Sequence, residues 1–201
     1  MPVSMPGLQR FPSPALELYI LRNFLQAETC ARLMELIDAK CRPSTIADDN
    51  GDTVFRTSHT GDLDSQDHIV AEIEARIAAL LDVEPVFGEP LQGQRYAVGQ
   101  EFKPHTDYFE PDGADYDRYC ARSGNRTWTA MIYLNEPGAG GATRFTRFGK
   151  TVQPETGKII FWNNRRADRS LNPDSIHHGM KVRAGSKYVV TKWYREHPWV
   201  G

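Results

Sequence analysis

From about residue 90 onward the chain breaks into short runs rich in β-branched and aromatic residues, at 127–134, 158–162 and 187–194, parted by Gly, Pro, Asn and Asp. Runs of this length and makeup form strands, and several in succession close into a sandwich or barrel. The first part of the chain has a different texture. Residues 16–21 suit a short strand, after which Cys30, Leu33, Met34 and Ile37 recur at i, i+3, i+4 and i+7. That spacing predicts an amphipathic helix over about 27–40. Ile69, Ile73, Ile77 and Leu80 predict a second helix over about 66–82, with Asp64 or Ser65 as its cap. Between them Asp48-Asp49-Asn50-Gly51-Asp52 signals a turn. The expected fold class is α+β and mainly β, with helices packed on a β core. It forms one domain, helical over about 16–85 and β over about 90–196.

Composition removes several classes of function. A length of 201 residues suits a single domain with a sizeable core. The formal net charge of −2 offers no basic footprint, which sets nucleic acid aside as a partner. Three cysteines, Cys30, Cys41 and Cys120, lack zinc-finger spacing and fit a reducing compartment. No basic and apolar leader opens the chain, and no stretch reaches membrane-spanning length. A cytoplasmic protein without a membrane partner is the expectation.

Chemistry enters with His105-Thr106-Asp107 and, far downstream, His177. Residues two apart in a strand share a face, so His105 and Asp107 can reach one metal from one strand. Two imidazoles and a carboxylate suit a non-haem iron(II) site with open coordination positions, and zinc with the same set would make a hydrolytic site. His178 competes with His177, since neighbours on a strand face opposite ways. Lys187 follows ten residues after His177. An ammonium in a β core needs an anion, which a carboxylate-bearing cosubstrate would supply. Two polar loops, 110–125 and 163–175, flank these residues and are candidate lids.

These residues resemble the prolyl 4-hydroxylase-like iron(II)- and 2-oxoglutarate-dependent dioxygenases. The run from Arg95 to Phe109 is similar to the family's first metal motif, and Met131-Ile132-Tyr133-Leu134-Asn135 with Gly140–Phe145 is similar to its central strands. His177-His178-Gly179 through Gly185-Ser186-Lys187 matches the distal histidine and the cosubstrate lysine, and Arg56-Thr57-Ser58 falls where the family often carries that tripeptide. The resemblance implies a double-stranded β-helix, or jelly-roll, with N-terminal helices on one face. It implies His105, Asp107 and His177 as iron ligands, since the family's ligand lies ten residues before the lysine. Lys187 would bind the distal carboxylate of 2-oxoglutarate, with Tyr96, Tyr133 and Thr191 in the same pocket. Arg126, Phe102, Trp193 and His178 would face substrate. Phe102 departs from the tyrosine often found in peptidyl-proline hydroxylases, and Lys181 stands where a proline is usual.

The resemblance further implies hydroxylation of an unactivated C–H bond, with iron(II), 2-oxoglutarate and dioxygen required and ascorbate a candidate reductant. Asp107 favours hydroxylation over halogenation, because related halogenases usually carry a small residue there. The substrate expected first is a prolyl residue in a peptide or protein. A free amino acid or other small metabolite is the alternative, and its carboxylate would need Arg126 or one of Arg165, Arg166 and Arg169. A zinc hydrolase would leave Lys187 without a role. A non-catalytic metabolite-binding barrel is the remaining class. His59 and Cys120 lie close enough in sequence to these motifs to be watched, as a residue at the substrate mouth and an oxidisable thiol.

Overall fold

The computed structural model describes residues 2–44 and 56–200. The turn expected at 48–52 lies outside the described residues. In chain order the elements begin with β1 (Gln9–Arg10), β2 (Leu18–Leu21), α1 (Ala27–Ala39), β3 (Cys41–Pro43), β4 (His59–Asp62) and α2 (His68–Leu81). Next come β5 (Gln92–Tyr96), β6 (Phe102–His105), α3 (Tyr116–Cys120), β7 (Arg126–Tyr133) and β8 (Ala139–Gly140). The chain finishes with β9 (Thr143–Phe145), β10 (Lys150–Val152), β11 (Ile159–Asn163), β12 (His177–Gly179), β13 (Val182–Ala184) and β14 (Lys187–Arg195).

Both long helices form where apolar residues recur at helical spacing. Cys30, Leu33 and Ile37 bury the inner stripe of α1, and Val70, Ile73, Ile77 and Leu81 bury that of α2. Neither Asp64 nor Ser65 caps α2. The cap is Asp67, whose carboxylate accepts from the Ile69 amide, while Asp64 accepts from Gln66 and shapes the preceding turn. Competing short acids in one polar stretch are told apart only by the local turn.

Eight strands form one sheet in the order β1-β2-β11-β7-β14-β5-β4-β3, and four form a second in the order β10-β9-β12-β6. The alternation of β7 and β11 explains the layering. Ala130, Ile132, Ile159 and Phe161 face one way and share an apolar cluster with α1 and α2. Met131, Tyr133, Ile160 and Trp162 face the other way and meet Phe145 and Val152 of the smaller sheet. Close approach of α1 depends on Gly61 and Gly93, because a Cβ at either position would collide with Ile37.

Three pairings place the chemistry. His177 on β12 lies opposite His105 on β6, Lys187 on β14 lies opposite Tyr96 on β5, and Thr129 on β7 lies opposite Trp193 on β14. The reading of His105 and Asp107 as one-strand neighbours needs correction. β6 ends at His105, and Asp107 stands in the bend beyond it. The bend turns its carboxylate toward β7 of the facing sheet, where the Thr129 hydroxyl donates to it.

Candidate active site

His105, Asp107 and His177 converge so that one ligand atom from each lies within 4.8 Å of the others. Their surroundings prepare them as ligands. Nδ1 of His105 lies 2.7 Å from the Lys103 carbonyl, and Nδ1 of His177 lies 3.0 Å from the Ser175 carbonyl. A carbonyl only accepts, so each Nδ1 carries the hydrogen and each Nε2 keeps its lone pair. Each Nε2 is 3.8 Å from an Asp107 oxygen. Burial, and then the neighbouring His177, push His105 down to about 3, so its ring is neutral at working pH. Burial acts to raise the Asp107 carboxyl, but His177, His105, Arg126 and the Thr129 hydroxyl hold it below the usual range. Two imidazoles whose Nε2 atoms face an ionised carboxylate are a donor set that suits a divalent iron.

Lys187 lines the same cavity as the triad and is 2% exposed. Its Nζ lies 5.1 Å from the Tyr96 ring centre and 5.5 Å from that of Tyr133. Among the described residues no carboxylate pairs with it, and burial lowers it to about 7. Thr191 lines this cavity too, donating to Gln94 Oε1 at 2.9 Å. Tyr96 is a wall residue whose hydroxyl meets Ser58 and Arg56, and burial raises its pKa. Tyr133 differs from its expected place. Only its ring faces Lys187, because its hydroxyl donates to Thr143 at 2.7 Å and lies 3.3 Å from the Val152 carbonyl.

A groove of about 760 Å³ adjoins this cavity and shares His105 and Asp107 with it. Its walls carry Tyr108, Phe109, Tyr116, Tyr119, Trp193 and Trp199. Phe102 lies flat on His105, with ring centres 3.5 Å apart and 17° between planes. Arg126 lines the groove, but its Nε and Nη2 grip Glu89 at 2.7 and 2.9 Å, and its Nη1 donates to the Asp107 carbonyl. Its guanidinium stacks 4.0 Å from the Trp193 ring centre. Trp193 lines both spaces, and its buried indole nitrogen has no partner among the described residues.

His178 points away from the triad, and its Nε2 lies 2.9 Å from Glu101. His59 sits on β4 opposite Arg95 rather than at the groove. The loop arginines are taken up locally. Arg165 pairs with Glu196, Arg166 lies 3.8 Å from Asp174, and Arg169 adopts a positive φ in its own turn. The segment 110–125 contains α3 and is held at several points. Asn125 exchanges hydrogen bonds with both backbone groups of Phe109, and Arg195 donates to the Tyr119 and Gly124 carbonyls. Cys120, at the end of α3, is buried and pushed up by burial, which keeps its thiol protonated.

Several contributors were not singled out from the sequence as site residues. Arg56 lines both spaces, stacks 5.1 Å from the Phe102 ring centre, and bonds Ser58 and Gln92. Burial lowers its pKa, and no described carboxylate pairs with it. Glu89, Thr129 and Asn164 also escaped notice. They are single polar residues at distant positions, without local spacing to mark them.

With this geometry in view, comparison with known proteins is decisive. The model of the 2OG-Fe(II) oxygenase superfamily matches residues 91–195, which takes in the triad and Lys187. The chain belongs to the 2OG-Fe(II) oxygenase superfamily. It is a 2-oxoglutarate-dependent dioxygenase of the prolyl 4-hydroxylase-like kind, with iron(II) and 2-oxoglutarate as its cofactors. Probable prolyl 4-hydroxylase 10 of Arabidopsis thaliana is 32% identical over 203 residues, covering 89% of this chain and 68% of that protein. Prolyl 4-hydroxylase subunit alpha-3 of Rattus norvegicus is 32% identical over 189 residues, covering 92% of this chain but 34% of the subunit. The chain thus spans about a third of that larger relative. In three dimensions it is similar to the viral collagen prolyl hydroxylase of Paramecium Bursaria Chlorella virus-1 in complex with 2OG, with a TM-score of 0.70 and 24% identity. That match covers 89% of this chain and 94% of the viral one, and it shows a shared jelly-roll fold.

Proposed function

We propose that this dioxygenase hydroxylates a prolyl residue within a peptide or protein. The observation that carries the reading is the groove with aromatic walls that reaches His105 and Asp107 and is distinct from the cavity holding Lys187. Aromatic-lined grooves suit proline-rich segments, whose extended polyproline II form is already ordered and loses little entropy on docking. The relatives named prolyl 4-hydroxylase support the same substrate class.

His105, Asp107 and His177 would hold the iron. When bound, iron(II) with 2-oxoglutarate and dioxygen supplies the oxidising power for hydroxylating an unactivated C–H bond, with succinate and carbon dioxide as co-products. The chain contributes binding, orientation and shielding. Lys187 would take the distal carboxylate of 2-oxoglutarate, with Tyr96 and Thr191 beside it and the Tyr133 ring excluding water. Trp193 and Phe102 stand where the two spaces meet and would confine the substrate to the open side of the metal. Arg126 would act as a structural floor of the groove. Its fork is already filled by Glu89, which argues against capture of a free amino-acid carboxylate there. The arginines at 165 and 166 are engaged by Glu196 and Asp174, which weakens the same alternative.

The test is succinate release by the purified protein with iron(II), 2-oxoglutarate and ascorbate as reductant. Proline-rich peptides and free amino acids are compared, with mass spectrometry for one added oxygen on proline. Stimulation by peptides with oxygen on the prolyl ring is the expected result. Stimulation by a free amino acid alone would overturn the assignment.

A further inference from the structure

Behind Asp107, on the side away from the groove, runs a chain of two hydrogen bonds that ligand geometry by itself does not require. The Thr129 hydroxyl donates to Asp107 Oδ2 at 2.8 Å, and the Asn164 side-chain amide donates to the Thr129 oxygen at 2.9 Å. Thr129 is 1% exposed and Asn164 is fully buried, so both bonds lie in the interior. Asn164 is held in place by its backbone, which donates to the Thr127 carbonyl and accepts from the Asn172 amide.

A hydroxyl has one hydrogen, and its rotor is free to aim it at whichever acceptor is better. The Asn164 N–H occupies the acceptor side of the Thr129 oxygen and leaves the hydrogen for Asp107. The opposite setting of the amide would place its Oδ1 against Thr129, and two acceptors would then compete for that one hydrogen. The setting found here instead leaves Asn164 Oδ1 buried without a partner among the described residues. A buried acceptor left unpaired is costly, and groups left so in a folded protein call for an explanation.

We propose that Thr129 and Asn164 are positioning residues for the metal site: Asn164 points the Thr129 hydroxyl, and that hydroxyl fixes the plane of the Asp107 carboxylate. Asn164 follows directly on β11, which ends at Asn163, so the loop after this strand contributes to the metal centre without touching it. The inference rests on the metal-site reading above, and its test separates the two.

The experiment is titration with cobalt(II), in place of the native metal, of the full chain and of T129V, T129S, N164A, T129V/N164A and D107A, alongside thermal unfolding of each without metal. T129V keeps the shape of threonine and loses the hydroxyl, so its cobalt affinity falls by about 10- to 100-fold, the usual effect of removing a group behind a ligand. T129S retains the hydroxyl and stays near the parent. N164A falls in the same direction by less, and the double variant is no weaker than T129V, because Asn164 acts only through Thr129. A merely structural role would lower the melting temperature and leave the cobalt affinity of the folded protein unchanged. Parental affinity in T129V, equal loss in T129S, or additive losses in the double variant would each overturn the proposal. Where T129V fails to fold, N164A and T129S carry the comparison. Undiminished cobalt binding by D107A would instead remove the metal site itself, and the positioning role with it.

Discussion

Lys187 Nζ lies 5.1 Å from the centre of the Tyr96 ring, buried beside the metal triad with no described carboxylate to neutralise it. Burial lowers it to about 7. A dicarboxylate entering this cavity would meet a lysine that is half-charged near neutral pH and would draw the missing proton onto it. The sign of the pH dependence follows. Below pH 7 the lysine is already protonated and affinity for 2-oxoglutarate is flat on this account. Above it the competent fraction, and so the affinity, falls about tenfold per pH unit. Calorimetry near pH 8 in two buffers of different ionisation enthalpy should show proton uptake on binding. Uptake should vanish in Lys187→Met, which loses most of its affinity. No uptake in the parent would mean that the lysine is charged before the cosubstrate arrives.

Glu89 is gripped by two guanidiniums, through well-aligned bonds from Arg126 and a close ionic contact from Arg195 Nε at 2.6 Å. The Arg195 contact is out of line for a hydrogen bond, so Arg126 is the main partner. Burial alone would raise the Glu89 carboxyl, but the two arginines hold it below its ordinary value. A carboxyl depressed in the folded state adds stability above its unfolded pKa of about 4.3, and that stability drains as pH falls through the folded pKa. Glu89→Gln leaves two buried cations without a counter-charge and should cost about 3–5 kcal/mol in urea unfolding at neutral pH. The variant should also lack the parental loss of stability between about pH 4 and lower values. An unchanged acid limb would show that Glu89 is not the group responsible.

The candidate ligands were legible as local patterns. His105-x-Asp107 and the ten residues from His177 to Lys187 mark them in the sequence, although Asp107 meets His105 through the bend after β6 and not along one strand. The helices were legible for the same reason, through i, i+3, i+4 and i+7 repeats of Cys30, Leu33, Met34 and Ile37. What stayed hidden was long-range. Glu89 reaches Arg126 and Arg195, and Asn164 reaches Thr129, across gaps that no periodicity marks. The five-residue α3 is too short to show a repeat, and its place is set by Arg195 on β14. Arg126 was expected to face substrate; it lines the groove, but the carboxylate that fills its fork lies 37 positions away.

The three cysteines offer a direct probe of the packing. Cys30 is buried beneath α1, and burial pushes its thiol up to about 11. Cys120 is buried at the end of α3 and raised by burial too, while Cys41 lies on the edge strand β3 and is only partly covered. Burial raises the Cys41 thiol as well, so access is what favours it: Cys41 is the one of the three that is not buried. A disulfide-exchange reagent at about pH 8 should label one thiol of the native protein ahead of the others, and all three in denaturant. Mass mapping should find the early label on Cys41. Early labelling of Cys120 would mean that the 110–125 segment opens despite its Arg195 and Asn125 contacts.

Phe102 presses its ring flat on His105 from one side, with the Arg56 guanidinium 5.1 Å from its centre. The stack holds the imidazole plane, just as the Lys103 carbonyl holds its tautomer. An aromatic pair of this kind contributes about 0.5–1.5 kcal/mol beyond the area it buries. Phe102→Ala should therefore weaken cobalt(II) binding by roughly 2- to 12-fold, while 2-oxoglutarate still contacts Lys187 and its binding near pH 7 changes little. Phe102→Tyr keeps the ring and should keep the metal affinity, so any change in that variant belongs to the substrate step and appears in the KM for peptide. Metal titration and peptide-stimulated succinate release on the same preparations separate the two effects. Equal metal loss in both variants would show that the stack on His105 does not set the geometry of the ligand.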